Sequence, residues 1–302
     1  MRDLSEKITR MQQEGKSHTA ISFAVIKGIF FPTTSSEEEL QASPQKQTKL
    51  KVFAAGLPRS GTGSLAVALE ELGYNPCHGP CSFELASVLA EHYAGLSTNV
   101  DIIRAQEEKG YDAQGLDQLG WKLFKEAAAK TDVKVILTEH PRGGKAWAES
   151  WSSFVPDHIY YFSQRPFRFM DSMVQTMKLN REALMYLNGT DDPKDPSFSF
   201  PATELSASYE RHNGEVKKIV PADRLLVFNP TQGWDPICHF LEVKKCPVID
   251  FPHMTDRHMM MSISKAAMIM TWVWPLVPVV CFALGMSILR CGFYSQKKTK
   301  VS

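Results

Sequence analysis

The sequence predicts an α/β domain in which a parallel sheet carries helices on both faces. Residues 51–69 read as a short apolar strand at 52–55, a glycine-containing turn and an Ala/Leu-rich helix. Residues 133–138 (VKVILT) form a continuous β-branched and leucine run, the pattern of a parallel strand buried on both faces. Strand and helix signals alternate across residues 51–256, which is enough chain for one domain with a substantial core.

The individual elements follow from the same patterns. Four strands are predicted, at residues 52–55, 133–137, 159–162 and 225–228. Residues 185–202 are rich in Asp, Pro and Ser, so we expect a surface loop there; a substrate lid is the alternative.

The turn after the first strand is the first candidate binding site. A strand that leads directly into a helix N-terminus points several backbone N–H groups at one place, where the helix dipole also favours an anion. Gly56 and Gly61 have the spacing of a P-loop, but Thr62 stands where a nucleotide-hydrolysing P-loop has lysine. The nearest cation is Arg59. The hydroxyl-bearing residues of this turn are Ser60, Thr62 and Ser64. The turn therefore predicts a phosphate site without nucleotide-hydrolase equipment, the alternative being an ordinary strand–helix connection.

A second candidate anion site follows the strand at 133–138. Arg142 and Ser150 lie just beyond it, and the loops that follow parallel strands share one edge of the sheet. A guanidinium binds phosphate with a planar pair of donors, and a serine further along can add a hydroxyl. The two loops are therefore expected to lie at the same edge.

Together these motifs resemble the sulfotransferases that use 3′-phosphoadenosine-5′-phosphosulfate, and most closely the P-loop sulfotransferase family abundant in fungi and found in other eukaryotes. LPRSGTGSL at residues 57–65 resembles the 5′-phosphosulfate loop of that family. After an ILT strand, Trp147 and Ser150 keep the family's intervals of five and eight positions from Arg142. The GW-P-C-FL and FPH segments at 233–253 are similar to the family's closing segments.

The resemblance implies a P-loop NTPase-like sulfotransferase fold and transfer of a sulfuryl group from 3′-phosphoadenosine-5′-phosphosulfate to a hydroxyl or amine, with no metal required. It implies that Arg142 and Ser150 bind the 3′-phosphate. The residues expected at the 5′-phosphosulfate are Arg59, Ser60, Gly61, Thr62, Gly63 and Ser64. The acceptor needs a base within hydrogen-bond reach. Asp117 is the first candidate by resemblance and His78 the second.

Some features depart from the family pattern. Two extra residues precede Arg142, and Asp117 lacks the proline that follows the corresponding Asp in the family. A nucleotide kinase or other P-loop phosphotransferase and a catalytically inactive homologue therefore stay open as alternatives. The acceptor is not readable: a small molecule, lipid, carbohydrate or tyrosine peptide all remain candidates.

Composition limits the partners. With 34 basic and 33 acidic side chains, the formal net charge is +1, which gives no reason to expect nucleic acid. The six cysteines show no CxxC pairing, so structural roles are expected rather than a zinc site. A homodimer is a further partner that the sequence leaves open.

The flanks suggest a membrane protein. Residues 1–50 are predicted to be a peripheral segment and linker. Residues 266–289 carry no charge, so a single-pass transmembrane helix is predicted there, after a juxtamembrane stretch at 257–265 and before a basic tail at 290–302. The tail favours a lumenal domain. We nevertheless expect the domain to face the cytosol, because residues 1–50 show no signal that would translocate it.

Overall fold

The computed structural model of the protein describes residues 49–78, 81–115, 117–130, 132–153, 155–188, 202–253, 257–279 and 282. Within these ranges five strands form one sheet. They are β1 (Val52–Ala54), β2 (Pro76–His78), β3 (Ala113–Gly115), β4 (Lys134–Thr138) and β5 (Leu225–Phe228), in the spatial order β2-β3-β1-β4-β5. All of their pairings are parallel.

Helices connect and cover the strands. They are α1 (Thr62–Glu71), α2 (Cys81–Glu84), α3 (Ala86–Tyr93), α4 (Asn99–Glu108), α5 (Asp117–Ala129), α6 (Gly143–Ser152), α7 (Val155–Phe162), α8 (Asp171–Asn188), α9 (Ala202–Ile219), α10 (Asp235–Phe240) and α11 (Arg257–Val273). Short 3₁₀ turns lie at Phe167–Phe169, Ala222–Arg224 and Pro230–Gln232.

Both faces of the sheet are buried, as the sequence predicts. Successive strand residues point to opposite faces, and alternate residues of β1 and β4 enter two different cores. On one face Phe53, Val135 and Leu137 pack with side chains of α3, α4 and α5. On the other face Val52, Ala54 and Ile136 pack with α1 and α10. The predicted α/β class, with helices on both faces of a parallel sheet, is therefore confirmed.

The topology determines where a ligand can bind. Because every pairing is parallel, the carboxyl ends of all five strands lie along one edge. β1 has β3 on one side and β4 on the other, so the chain order changes direction at β1. In open α/β sheets this switch point forms the crevice in which ligands bind.

Three of the four predicted strands are confirmed. The strand at 225–228 has the predicted bounds, and those at 52–55 and 133–137 shift by a residue. The prediction of a strand at 159–162 is wrong, because those residues form the last turn of α7. Ile159 and Phe162 are buried while Tyr160 between them is exposed, a three-residue spacing that fits one face of a helix.

Two further predictions concern a loop and the cysteines. The loop prediction for residues 185–202 is wrong at both ends, since α8 continues to Asn188 and α9 begins at Ala202; residues 189–201 lie outside the described residues. Structural roles are confirmed for four cysteines, which form the disulfides Cys77–Cys81 and Cys238–Cys246. The predictions for residues 1–48 lie outside the described residues.

The C-terminal helix differs most from its prediction. Residues 257–265 are not a separate juxtamembrane stretch, because α11 begins at Arg257. Ile263 and Ala267 are buried with Phe162 and Phe167 in a core of the domain, so the predicted start of a membrane helix at residue 266 is wrong.

The end of α11 differs from its prediction as well. The helix ends at Val273, two residues before Pro275, which has no N–H to donate and restricts the residue before it. Beyond the buried face the segment is exposed: Trp272 is 75% exposed and Phe282 72%. No helix in the described ranges is both long and apolar enough to cross a bilayer.

Candidate functional site

The turn after β1 has an unusual backbone conformation. Gly61 is the N-cap of α1, with a φ of 105°, in the left-handed region that favours glycine. Arg59, the predicted phosphate-binding residue, also has a positive φ, 75°, so the chain bends sharply at this residue. Thr62, Gly63 and Ser64 form the first turn of α1, and all three are buried. The sequence thus places a helix N-terminus beside an arginine, which suits an anion.

This turn packs tightly against the end of β4. A Cβ built on Gly56 would lie 1.9 Å from the Thr138 Oγ1 atom, so only glycine permits this approach. The Ser60 hydroxyl lies 2.7 Å from Thr138 Oγ1 and donates to the Leu57 carbonyl at 2.6 Å. The Ser60 amide donates to the same carbonyl at 3.1 Å. Ser60 therefore shapes the turn in this structure, and its predicted contact with the 5′ group stays a prediction.

α6 is tied to the turn through Trp147. Its indole N–H donates to the Pro58 carbonyl at 2.8 Å. The ring is fully buried and lies near the rings of Trp151 and Tyr209, with centroids 5.3 and 4.9 Å away. This contact brings the helix that begins after Arg142 against the turn that contains Arg59.

Arg142 is the N-cap of α6 and is exposed. The residues before it form a tight turn in which the Gly143 N–H donates to the His140 carbonyl at 2.9 Å. The Arg142 N–H donates to His140 Nδ1 at 3.2 Å. The two extra residues noted in the sequence are thus accommodated before α6. Ser150 is half-buried on α6, eight residues after Arg142, about two helical turns away.

The positive charges of Arg142 and Arg59 both act on His140. Burial is the main cause that lowers the pKa of His140, and the nearby charges of Arg142 and then Arg59 lower it further. The two arginines that the sequence predicts in separate loops therefore both lie close enough to act on one imidazole. Sequence reasoning did not single out His140, since nothing in its immediate neighbours marks it.

α9 fixes the backbone on both sides of the crevice. His212 Nε2 lies 2.7 Å from the Ala55 carbonyl at the end of β1, and the Tyr209 hydroxyl accepts from the His140 N–H at 2.7 Å. Asn213 donates to the Glu139 carboxylate at 3.2 Å. His212 therefore makes a structural contact. The roles of Tyr209 and Asn213 could not be predicted from the sequence, because their partners lie 69 and 74 residues away along the chain.

The two candidate bases lie across β1 from Arg142. His78 is the last residue of β2 and is half-buried. Asp117 is the first residue of α5, just after β3. Both lie at the carboxyl ends of strands, on the β3 side of the turn after β1, while Arg142 lies on the β4 side. Their catalytic roles stay predictions.

Comparison with known proteins agrees with this arrangement. Residues 51–260 match the family model described as a sulfotransferase domain. The chain is also similar to Ava biosynthesis cluster protein M of Aspergillus versicolor, at 30% identity over 223 residues, which cover 68% of this chain and 80% of that protein. The chain therefore belongs to the sulfotransferase family.

Proposed function

We propose that the protein transfers a sulfuryl group from 3′-phosphoadenosine-5′-phosphosulfate to a hydroxyl or amine of an acceptor. The observation that carries this proposal is that the turn containing Arg59 and the helix capped by Arg142 lie in contact at one sheet edge, through the hydrogen bond from the Trp147 indole N–H to the Pro58 carbonyl. A donor with phosphate-type groups at both its 5′ and 3′ ends needs two such cationic positions. The use of threonine at position 62, where an ATP-hydrolysing P-loop has lysine, argues in the same direction.

Each residue then has a definable task. Arg59 and the N-terminal turn of α1 hold the 5′-phosphosulfate and offset the negative charge that develops during transfer. Arg142 and Ser150 hold the 3′-phosphate and so fix the position of the sulfur. The acceptor oxygen or nitrogen attacks sulfur in line, and the bond between sulfur and the bridging phosphate oxygen breaks. Adenosine 3′,5′-bisphosphate leaves.

The acceptor proton has to leave as the new bond forms. His78 ends β2 and Asp117 follows β3, at the edge where this chemistry would take place, so one of them is proposed as the base. No covalent enzyme intermediate is needed, and positioning and electrostatics supply the rate enhancement.

Incubation with the ³⁵S-labelled donor tests the activity. We expect label to move to a component of fractionated cell lipids, glycans, peptides or metabolites. Arg59→Ala should reduce the transfer strongly, and Arg168→Ala, which removes an exposed arginine of the 3₁₀ turn at Phe167–Phe169, should not. Transfer of phosphate from ATP with magnesium, and none from the sulfate donor, would instead support a phosphotransferase. Donor binding without transfer to any fraction would support an inactive homologue.

We also propose that the uncharged C-terminal segment attaches the protein to a membrane. The apolar run at 266–289 and the basic residues after it motivate this. The exposed outer side of the segment around Trp272 and Phe282 is the surface offered to lipid. Its inner side, at Ile263 and Ala267, packs in the domain core.

Two truncated chains test the exposed side and the buried side of this segment separately. A chain that ends at Trp274 keeps all of α11 and should unfold at the same temperature as the full chain, but should move from the membrane pellet to the soluble fraction. A chain that ends at Lys265 also loses Ala267 and Met270 from the core, so we expect it to be less stable by about 2–4 kcal/mol. If the chain ending at Trp274 still pellets and resists carbonate extraction, the segment is not the attachment.

A further inference from the structure

His140 lies in the turn that leads to Arg142. It comes two residues after Thr138, the last residue of β4, and its ring is half-buried. Burial and the charges of Arg142 and Arg59 lower its pKa below the ordinary value for histidine. These influences favour the neutral ring, which offers a ligand a hydrogen bond rather than a full positive charge.

The hydrogen bond at Nδ1 identifies the other nitrogen as the donor. The backbone N–H of Arg142 donates to His140 Nδ1 at 3.2 Å. An Nδ1 atom that accepts a hydrogen bond carries no proton, so the proton of the neutral ring is on Nε2. Nε2 is the far end of the ring, and its N–H can donate to an anion held beside Arg142.

The position of His140 is set in advance by contacts from α9. Its backbone N–H donates to the buried Tyr209 hydroxyl at 2.7 Å. The preceding residue, Glu139, accepts from Asn213 at 3.2 Å and pairs with Lys217 at 2.7 Å. Because these contacts hold the backbone that carries the ring, the ring needs little ordering when an anion binds.

We propose that His140 binds the 3′-phosphate of the donor through its Nε2–H, next to Arg142, and so helps the protein recognise a 3′-phosphorylated adenine nucleotide. This rests on the proposed sulfotransferase function, since that function supplies the 3′-phosphate. The 3′ end is favoured over the 5′ end because His140 and Arg142 share one turn, whereas Arg59 belongs to the other loop.

Two substitutions separate binding from a structural role in the turn. In His140→Gln, the amide nitrogen reaches the place of Nε2 and keeps the donor. In His140→Asn, the amide oxygen stands at the place of Nδ1 and keeps the acceptor for Arg142, but the far donor is lost. Titration calorimetry on the full chain, with adenosine 3′,5′-bisphosphate and with adenosine 5′-phosphosulfate, compares both variants with the native protein. Thermal unfolding confirms that each variant is folded.

We expect His140→Asn to bind the bisphosphate about 10-fold more weakly, because a hydrogen bond to a charged group is lost. It should bind the phosphosulfate, which has no 3′-phosphate, as the native protein does. His140→Gln should stay within about 3-fold of native affinity for both ligands.

Other outcomes overturn the inference. If His140→Asn binds normally and His140→Gln weakly, the ring serves only to hold the Arg142 turn. Equal loss for both ligands would place His140 at the 5′ group. If the native protein binds no bisphosphate at all, the proposed function itself fails, and that result is distinct from failure of the two variants alone.

Discussion

Arg142→Ala is expected to weaken the binding of adenosine 3′,5′-bisphosphate by about 2 kcal/mol, or roughly 30-fold, because a charge-assisted contact with phosphate is lost. Its affinity for adenosine 5′-phosphosulfate should hardly change, since that ligand lacks the 3′-phosphate. Arg59→Ala should weaken both ligands, because both carry the 5′ group that the turn after β1 is proposed to hold. Titration calorimetry at one fixed salt concentration measures all four affinities.

The controls for this experiment come from the same chain. Arg168→Ala removes an exposed arginine and tests whether net charge alone changes binding. The native protein should bind the bisphosphate far better than adenosine 5′-monophosphate. If Arg142→Ala weakens both test ligands equally, the turn at residues 139–142 has moved this arginine away from the 3′ end, and the assignment of the two sites is wrong.

Gly61→Ala should produce a large loss of stability. Gly61 has a φ of 105°, and a Cβ there would lie 2.4 Å from Cγ of Pro230 in the loop after β5. Backbone strain and this overlap together should lower the free energy of unfolding by about 3 kcal/mol. Urea denaturation measures the change. Binding of the bisphosphate should fall as well, because the first turn of α1 would shift.

Two further variants distinguish the backbone strain at Gly61 from the overlap with Pro230. Gly214→Ala is the matched control, since Gly214 lies in α9 with no atom near its Cβ position, and alanine should stabilise the helix slightly, by up to about 1 kcal/mol. In the background of Pro230→Ala, Gly61→Ala should cost less, because the overlap is relieved while the strain at φ remains. A Gly61→Ala effect as small as that of Gly214→Ala would mean that the turn is not constrained as described.

Sequence reasoning succeeded where one segment carries the whole signal. The strand at 225–228 is four consecutive apolar residues, and its bounds could be predicted directly. The turn of residues 56–61 was recognisable because strand, glycines and helix follow one another without a gap. The loop of Arg142 could be placed at the same edge because parallel strands have only one carboxyl side.

The remaining features depend on distant parts of the chain. β2 and β3 have three residues each, too few for a period to appear. Residues 159–162 predict a strand because a run of four apolar or aromatic residues does not distinguish a strand from a helix by pattern alone. The apolar run from residue 266 predicted a membrane helix. Nothing within this run indicates that Ala267 is buried with Phe162 and Phe167, because those partners lie about a hundred residues earlier.

The contacts of α9 link the two loops that are proposed to bind the donor. The Tyr209 hydroxyl holds the His140 backbone in the turn before Arg142, and His212 holds the Ala55 carbonyl at the end of β1. These two residues lie three positions apart, about 4.5 Å along the helix axis. One rigid element therefore braces both loops, so a substitution in α9 that disturbs its packing should affect both proposed phosphate sites together.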